Sequence, residues 1–96
     1  MNDNSDSRNV LKLFISGRTQ RSESAIHTVR ALCEQELSGE FELVVIDVCE
    51  NPREAEEGRI LATPTVVKEL PPPIRKVIGD LTDKQVKYLS SWEEGT

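Results

Sequence analysis

Two cysteines, Cys33 and Cys49, are the side chains in this sequence that could support thiol chemistry. Thiol–disulfide exchange usually needs a Cys-x-x-Cys pair, and a structural zinc site needs several cysteines and histidines at short spacing. The two cysteines lie too far apart in the sequence for either pattern. Cys33 falls on the apolar face of a predicted helix and Cys49 ends a predicted strand. We therefore expect two buried, reduced thiols, although the sequence alone leaves a disulfide between them open.

The other chemically capable residues lack the neighbours that catalysis requires. His27 is the single histidine, and it lies beside the apolar face of a predicted helix with no acid and nucleophile around it. A group of carboxylates follows the second predicted strand, where the start of a surface helix explains them: Asp47, Glu50, Glu54, Glu56 and Glu57. The sequence has no glycine-rich phosphate loop and no nucleophile motif. We expect no catalytic, cofactor-binding or metal-binding residues, and no enzyme activity.

Strand and helix signals alternate through the first half of the chain. Apolar, β-branched runs predict strands at 10–16 and 41–49. Between them, apolar residues at helical spacing predict a helix with Ser22 at its N-cap and Gly39 just beyond its end. Both faces of the second strand are apolar, which is typical of a central strand covered on both sides.

The second half begins with a short helix signal at 51–57. Asn51 suits the N-cap, Pro52 the first helical position and Glu54 a capping box, whereas Ala55 is the single apolar residue, so packing should hold this helix weakly. Two β-rich runs, 65–67 and 74–78, then flank three consecutive prolines. They suit an antiparallel pair at the edge of the sheet.

A last amphipathic helix is predicted from Thr82 onward, with Val86, Leu89 and Trp92 on one face. The complete order is therefore β-α-β-α-β-β-α, and its strand–helix–strand start specifies a parallel pair with a right-handed crossover. This is the order of a thioredoxin-like α/β single domain.

Enzymes with that fold carry a reactive thiolate at the start of the first helix. In this chain the corresponding segment, "SGRTQRSES", offers only Ser16, Ser22 and Ser24. A serine cannot take part in thiol–disulfide exchange, so the predicted fold lacks the thiol nucleophile that such enzymes need.

Length and charge narrow the classes of partner. The 96 residues predict one domain at 10–93, with a disordered N-terminal tail at 1–9 and a short tail at 94–96. A net charge of −5 argues against nucleic acid or an anionic membrane as partner. No apolar run approaches the ~18 residues of a membrane span and no signal peptide is visible, so we expect a cytoplasmic protein. The modest hydrophobic content favours a homo-oligomer, a dimer or tetramer, that buries more apolar area.

Five stretches resemble the KaiB family of circadian clock proteins: "VLKLFISG", "VIDV", "NPREAEE", "RILATPT" and "LPPPIRKVIGDL". The resemblance runs from Val10 to Leu81 and implies a non-enzymatic partner of KaiC, a hexameric RecA-like ATPase. It further implies contacts with a KaiA-like protein or a SasA-like histidine kinase. It also implies two folds, a tetrameric resting form and a monomeric thioredoxin-like form that binds KaiC, which differ mainly from Pro52 onward.

The resemblance assigns partner binding to two basic residues and an apolar pair: Lys12, Arg59, Ile60 and Leu61. Clock-type members carry basic residues that face KaiC at two further positions, and this chain has Ser24 and Val44 there. Near the end it has Ser90, Ser91 and Trp92 where relatives often read Gly-Leu-Asp-Leu-Leu. The departures at Ser24 and Val44 favour a KaiC-linked signalling or stress pathway over a full oscillator, whereas the departure near the end bears on the balance between the two folds and on contacts between subunits.

The resemblance also makes conformational determinants of five residues: Thr63, Pro64, Pro71, Pro72 and Pro73. An X-Pro bond favours trans by only about 0.5–1 kcal/mol and isomerises over tens to hundreds of seconds. We hypothesise that isomer changes at these bonds accompany the change of fold, and identical isomers in free and partner-bound protein, seen by NMR, would reject this. The alternative is that the prolines only set rigid corners.

Two other functions remain as alternatives. A thioredoxin-like thiol oxidoreductase is disfavoured because there is no Cys-x-x-Cys, and an insulin-reduction assay tests it cheaply. A sensory input domain like that of SasA is disfavoured because such domains precede a kinase, for which 96 residues leave no room.

Overall fold

The computed structural model describes residues 9–37 and 40–79, in which strands and helices follow the order β-α-β-α-β-β. The elements are β1 (Asn9–Ile15), α1 (Gln20–Leu37), β2 (Phe41–Asp47), α2 (Pro52–Glu57), β3 (Thr65–Leu70) and β4 (Arg75–Ile78). This confirms the predicted thioredoxin-like α/β fold. The predicted last helix, with Thr82, Val86, Leu89 and Trp92, lies outside the described residues.

The four strands form one sheet in the order β2-β1-β3-β4. β1 pairs with β2 in parallel, as the predicted crossover requires, and β3 is antiparallel to both β1 and β4. The prediction that β2 is central was wrong, because β1 lies between β2 and β3 while β2 has one paired neighbour in the described sheet. Apolar residues on both faces of a strand require cover above and below, and they do not require a second neighbouring strand. In β2 this cover is partial, because Ile46 is the single buried residue of the strand.

Side chains alternate between the two faces of the sheet and build two apolar clusters. The larger cluster lies under α1 and contains Leu11, Leu13, Ile15, Val29, Cys33, Val66 and Val77. The smaller one lies on the opposite face, where Ile60 and residues of β2 pack against Phe14, Ile46 and Val67. The face opposite α1, which carries the smaller cluster, is called the α2 side below.

The N-cap of helix α1 lies three residues before the predicted one, and the helix itself begins at Gln20. Thr19 is the residue whose Oγ1 accepts a hydrogen bond from the Ser22 backbone N–H at 3.1 Å, whereas Ser22 lies inside the first turn and is 7% exposed. Serine and threonine are both preferred N-cap residues, and burial of Ser22 within the first turn leaves Thr19 as the cap. Within the described residues, neither helix combines the length and the apolar character needed to cross a bilayer.

Helix α2 has the predicted proline at its start but lacks the predicted capping box. The Asn51 side chain makes no cap hydrogen bond, and instead its Nδ2 donates to the Asp47 carbonyl at 3.1 Å. No residue of α2 is buried. The expectation that packing holds this helix weakly is confirmed.

The β3–β4 pair confirms the predicted antiparallel arrangement at one edge of the sheet, with β4 outermost in the described strands. The peptide bonds Thr63–Pro64, Leu70–Pro71 and Pro72–Pro73 are cis. Pro64 immediately precedes β3, and its carbonyl accepts a hydrogen bond from the Gly79 N–H at 2.8 Å, just after β4. The proline therefore stands at the start of a strand, where a missing amide donor is tolerated.

Candidate partner-binding surface

The loop that follows β1 occupies the place where a thioredoxin-like enzyme holds its nucleophile. Ser16 is exposed there, and its Oγ lies 3.6 Å from the Cys49 sulfur. The Asp47 carboxylate accepts hydrogen bonds from the backbone N–H groups of Gly17 at 3.0 Å and Cys49 at 2.9 Å, and these bonds lower the pKa of Asp47. Asp47 thus ties together the ends of β1 and β2. Among the described residues, no group of potential ligands is arranged to hold a metal ion.

The two cysteines differ in environment and both are free. Cys33 is buried between α1 and the sheet, as predicted, and this burial raises the pKa of its thiol to about 11. Cys49 is exposed, so the expectation that it is buried was wrong. The physical reason is that β2 ends at Asp47, and Cys49 lies in the turn beyond the strand.

We expect one fast-reacting thiol and one slow one in the native protein. A pKa of about 11 leaves Cys33 with on the order of a hundredfold less thiolate at pH 8 than an ordinary exposed cysteine. An aromatic disulfide reagent should therefore modify Cys49 rapidly and Cys33 only after denaturation. The Cys49→Ser variant should lose the fast phase, and two equally fast thiols in native protein would contradict this assignment.

Lys12 and Arg59, the two basic residues assigned to partner binding, line one groove on the α2 side. The groove has a volume of about 440 Å³, and Phe14, Val67 and Ile74 supply its apolar lining. Lys12 comes from the middle of β1 and Arg59 from the segment that follows α2. This surface, between β1, β3, β4 and the end of α2, is called the α2-side groove below.

The strand register explains which side chains accompany Lys12. Lys12 pairs with Val44 of β2 and with Val67 of β3, and Val67 pairs with Lys76 of β4. These four residues form one row across the α2 side of the sheet. Val44 therefore stands directly beside Lys12, so the strand next to Lys12 presents an apolar side chain at this point.

Ser24, the other departure, lies away from this groove. It is an exposed residue of α1 and lines a separate depression with Pro64 and Val66, on the face that α1 covers. Lys12 and Ser24 therefore belong to different surfaces of the domain.

Ile60 and Leu61 have opposite orientations. Ile60 packs half-buried against the smaller apolar cluster, whereas Leu61 is 91% exposed. Both line a shallow depression with Val48 and Pro52, next to the α2-side groove. Ile60 anchors the segment and Leu61 offers a free apolar side chain beside Arg59.

Backbone and side-chain hydrogen bonds fix this segment at the end of α2. Arg59 has a left-handed backbone with φ 55°, a conformation usually taken by glycine at helix ends. The Ile60 N–H donates to the Ala55 carbonyl at 2.9 Å. Lys76 of β4 donates from Nζ to the carbonyls of Gly58 at 3.1 Å and Arg59 at 3.3 Å. A cation from a neighbouring strand thus satisfies the carbonyls at the end of α2, which has no basic residue in its own last turn.

Acidic residues balance the basic ones around the groove. Glu54 and Glu57 of α2 and Glu69 of β3 line it together with Lys12, Arg59 and Lys76. The carboxylate of Glu69 lies 3.7 Å from the Lys12 ammonium, and each side chain is about a third exposed. The groove is therefore a surface of mixed charge with an apolar lining.

The residues predicted to be conformational lie on either side of β3. Thr63 and Pro64 precede the strand, and Pro71, Pro72 and Pro73 connect it to β4. Sequence reasoning missed the residue that holds this connection. Lys68 is 1% exposed, and its ammonium donates to the carbonyl of Pro71 and, at 2.9 Å, to that of Pro73. A lysine inside an apolar strand, followed closely by three prolines that cannot donate backbone hydrogen bonds, was the signal in the sequence.

Comparison with known sequences gives one consistent family. The model of the KaiB domain matches residues 12–92. The chain is 54% identical over 76 residues to the circadian clock oscillator protein KaiB of Gloeothece citriformis, covering 79% of this chain and 72% of that protein. It is 53% identical over the same length to the circadian clock oscillator protein KaiB1 of a Synechocystis strain, with the same coverage.

Comparison with solved structures gives the fold. The N-terminal domain of Synechococcus elongatus SasA matches with a TM-score of 0.72 and 28% identity, over 93% of this chain and 86% of that one. Chloroplastic thioredoxin z matches with a TM-score of 0.72 and 23% identity, over 96% of this chain and 83% of that one. Both comparisons place the chain among thioredoxin-like folds.

Proposed function

The chain belongs to the KaiB family, and from this membership we propose that it is a non-enzymatic regulatory protein that binds a KaiC-like hexameric ATPase. The observation that carries the proposal is the α2-side groove, which Lys12 and Arg59 both line, together with the exposed Leu61 two residues after Arg59. The proposed binding residues are those assigned from the sequence: Lys12, Arg59, Ile60 and Leu61.

The chemistry of this surface suits a protein partner. Interfaces combine an apolar centre with arginine and a polar rim, and the groove offers apolar lining residues between basic and acidic side chains. Arg59 and Leu61 project from a segment whose backbone is held by Lys76 and by packing of Ile60. A segment fixed before binding loses less conformational entropy when a partner docks.

We further propose that the described thioredoxin-like form is the one that binds the ATPase, and that a tetrameric resting form exists beside it. If the binding form made up about 1% of the free protein, it would lie about 2.7 kcal/mol above the resting form, and apparent affinity would fall about 100-fold. Weak packing of α2, where the two forms begin to differ, is compatible with so small a gap. Thr63, Pro64 and Pro71–Pro73 stay as proposed conformational residues.

The cellular setting is proposed on the same basis. Relatives named as circadian clock oscillator proteins support a role in circadian timing. A KaiC-linked signalling or stress pathway is the alternative setting, and a cytoplasmic location is proposed for either. Similarity to the SasA N-terminal domain supports competition with a SasA-like kinase for the same ATPase, and a KaiA-like protein is a further proposed partner.

Size-exclusion chromatography with light scattering tests the proposal. Purified chain is mixed with a purified cyanobacterial KaiC hexamer in the presence of ATP, and we expect it to elute with the hexamer. An excess of the SasA N-terminal domain should displace it. If the chain elutes alone at every concentration tested, including after long incubation, the proposed function fails.

Thiol oxidoreductase activity is the second candidate. Ser16 begins the segment that holds the nucleophile in thioredoxin-like enzymes, and the exposed Cys49 lies beside Ser16. A dithiol mechanism needs a second thiol near Cys49, and Cys33 is instead buried in the larger apolar cluster under α1. We expect no insulin reduction above background. Turnover comparable to that of a thioredoxin would favour this candidate over the first.

A further inference from the structure

Glu69 has an unusual position in the strand that borders Lys12. The register of β1 and β3 pairs Val10 with Leu70 and Leu11 with Lys68, so Glu69 is the extra residue of a β-bulge. Bulges re-aim side chains at functional surfaces. Here the bulge places the Glu69 carboxylate 3.7 Å from the ammonium of Lys12, which pairs with Val67 on the same face of the sheet.

This contact partly neutralises the positive charge of Lys12, which an acidic side chain of a partner would otherwise bind. Both side chains are about a third exposed, and ion pairs of this kind add little to stability, so the pair separates at small cost. A carboxylate of a docking protein that approached Lys12 would displace Glu69 and then lie near a second negative charge. The remaining groove charges, Arg59 and Lys76 against Glu54 and Glu57, offset one another, so Glu69 decides whether the groove is neutral or positive.

We infer that Glu69 determines how tightly and how selectively the α2-side groove binds its partner. In the free protein the Glu69 carboxylate pairs with Lys12, and it thereby occupies the position that an acidic side chain of the partner would take. The inference rests on the proposed function and adds to it the chemistry of the partner at this point, a carboxylate. Glu69 acts through Lys12 and is therefore a positioning residue.

The test is a double-mutant cycle on binding to the purified cyanobacterial KaiC hexamer, measured as an equilibrium dissociation constant at low salt. Glu69→Gln, which removes the charge and keeps the shape, should tighten binding about 1.5- to 5-fold, the range set by an exposed ion pair. The same change made in a Lys12→Gln background should have no effect. Glu34→Gln on exposed α1 is the matched control for net charge and should leave affinity unchanged.

Each other outcome overturns the inference in a recognisable way. Wild-type binding that Glu69→Gln does not tighten would reject the inference and leave the proposed function standing. Equal tightening in the Lys12→Gln background, or with Glu34→Gln, would show general charge repulsion without a role for Lys12. Absence of binding by wild type and all variants, with unchanged melting temperatures, would reject the proposed function and the inference together.

Discussion

Replacing Lys68 by methionine should lower the free energy of unfolding by about 2–3 kcal/mol. The methionine keeps most of the buried stem but removes the ammonium that binds the carbonyls of Pro71 and Pro73. Neighbouring prolines cannot donate backbone hydrogen bonds, so these carbonyls would lose a buried donor at the β3–β4 connection. Urea unfolding followed by circular dichroism measures the loss.

Lys76→Met is the matched control for this change. Its ammonium also donates to two carbonyls, those of Gly58 and Arg59, but it does so at the exposed surface. Water can replace a donor there, so we expect a loss of less than about 1 kcal/mol. Equal losses for the two variants, or a stable Lys68→Met, would contradict the assigned role of Lys68.

The same lysine gives stability a defined pH dependence. Burial, and next the charge of Arg75, lower the pKa of Lys68 below its usual 10.5. The unfolded chain then binds the proton more tightly than the folded one between these two pKa values, so this group makes stability rise with pH as 10.5 is approached. Lys68→Met should lack that slope.

Replacing Arg59 by glutamate should weaken binding to a KaiC-type ATPase at least tenfold, or about 1.4 kcal/mol. The change reverses the charge at one end of the α2-side groove and adds a carboxylate to a rim that already contains Glu54 and Glu57. Isothermal titration or surface binding against the hexamer measures it.

Two further variants separate local from general effects. Arg53→Glu makes the same charge change on exposed α2, away from the groove lining, and should weaken binding much less. Arg59→Gly suits the left-handed backbone at this position, so it removes the guanidinium without strain. If Arg53→Glu costs as much as Arg59→Glu, or if neither has an effect, Arg59 is not a contact residue.

Local sequence signals predicted strands and helices well where the apolar residues of one element mark the face that it buries. The apolar spacing of α1 and the β-branched run of β1 each specify an element and the face it buries. Sheet position was harder, because β2 is apolar on both faces and helices can cover those faces at an edge as well as at the centre. Cap residues were also missed, since burial of Ser22 and the contact of Asn51 with Asp47 depend on tertiary neighbours.

The candidate site depended on information that no local pattern contains. Lys12 and Arg59 belong to distant segments, and only the family resemblance paired them before the structure showed that both line one groove. Glu69, Lys76 and Lys68 were not predicted, because their roles arise from a β-bulge, the end of α2 and the proline connection between β3 and β4. Cys49 was misplaced because strand length, and not its apolar character, sets its exposure.

Hydrogen exchange measured by mass spectrometry, with and without a KaiC hexamer, tests most directly whether this protein binds that ATPase through the α2 side. We expect the backbone amides of α2 and of residues 58–62 to exchange more slowly when the hexamer is present. Peptides that cover α1 should change little. Protection confined to α1, or no protection anywhere at saturating hexamer, would contradict the proposed binding surface.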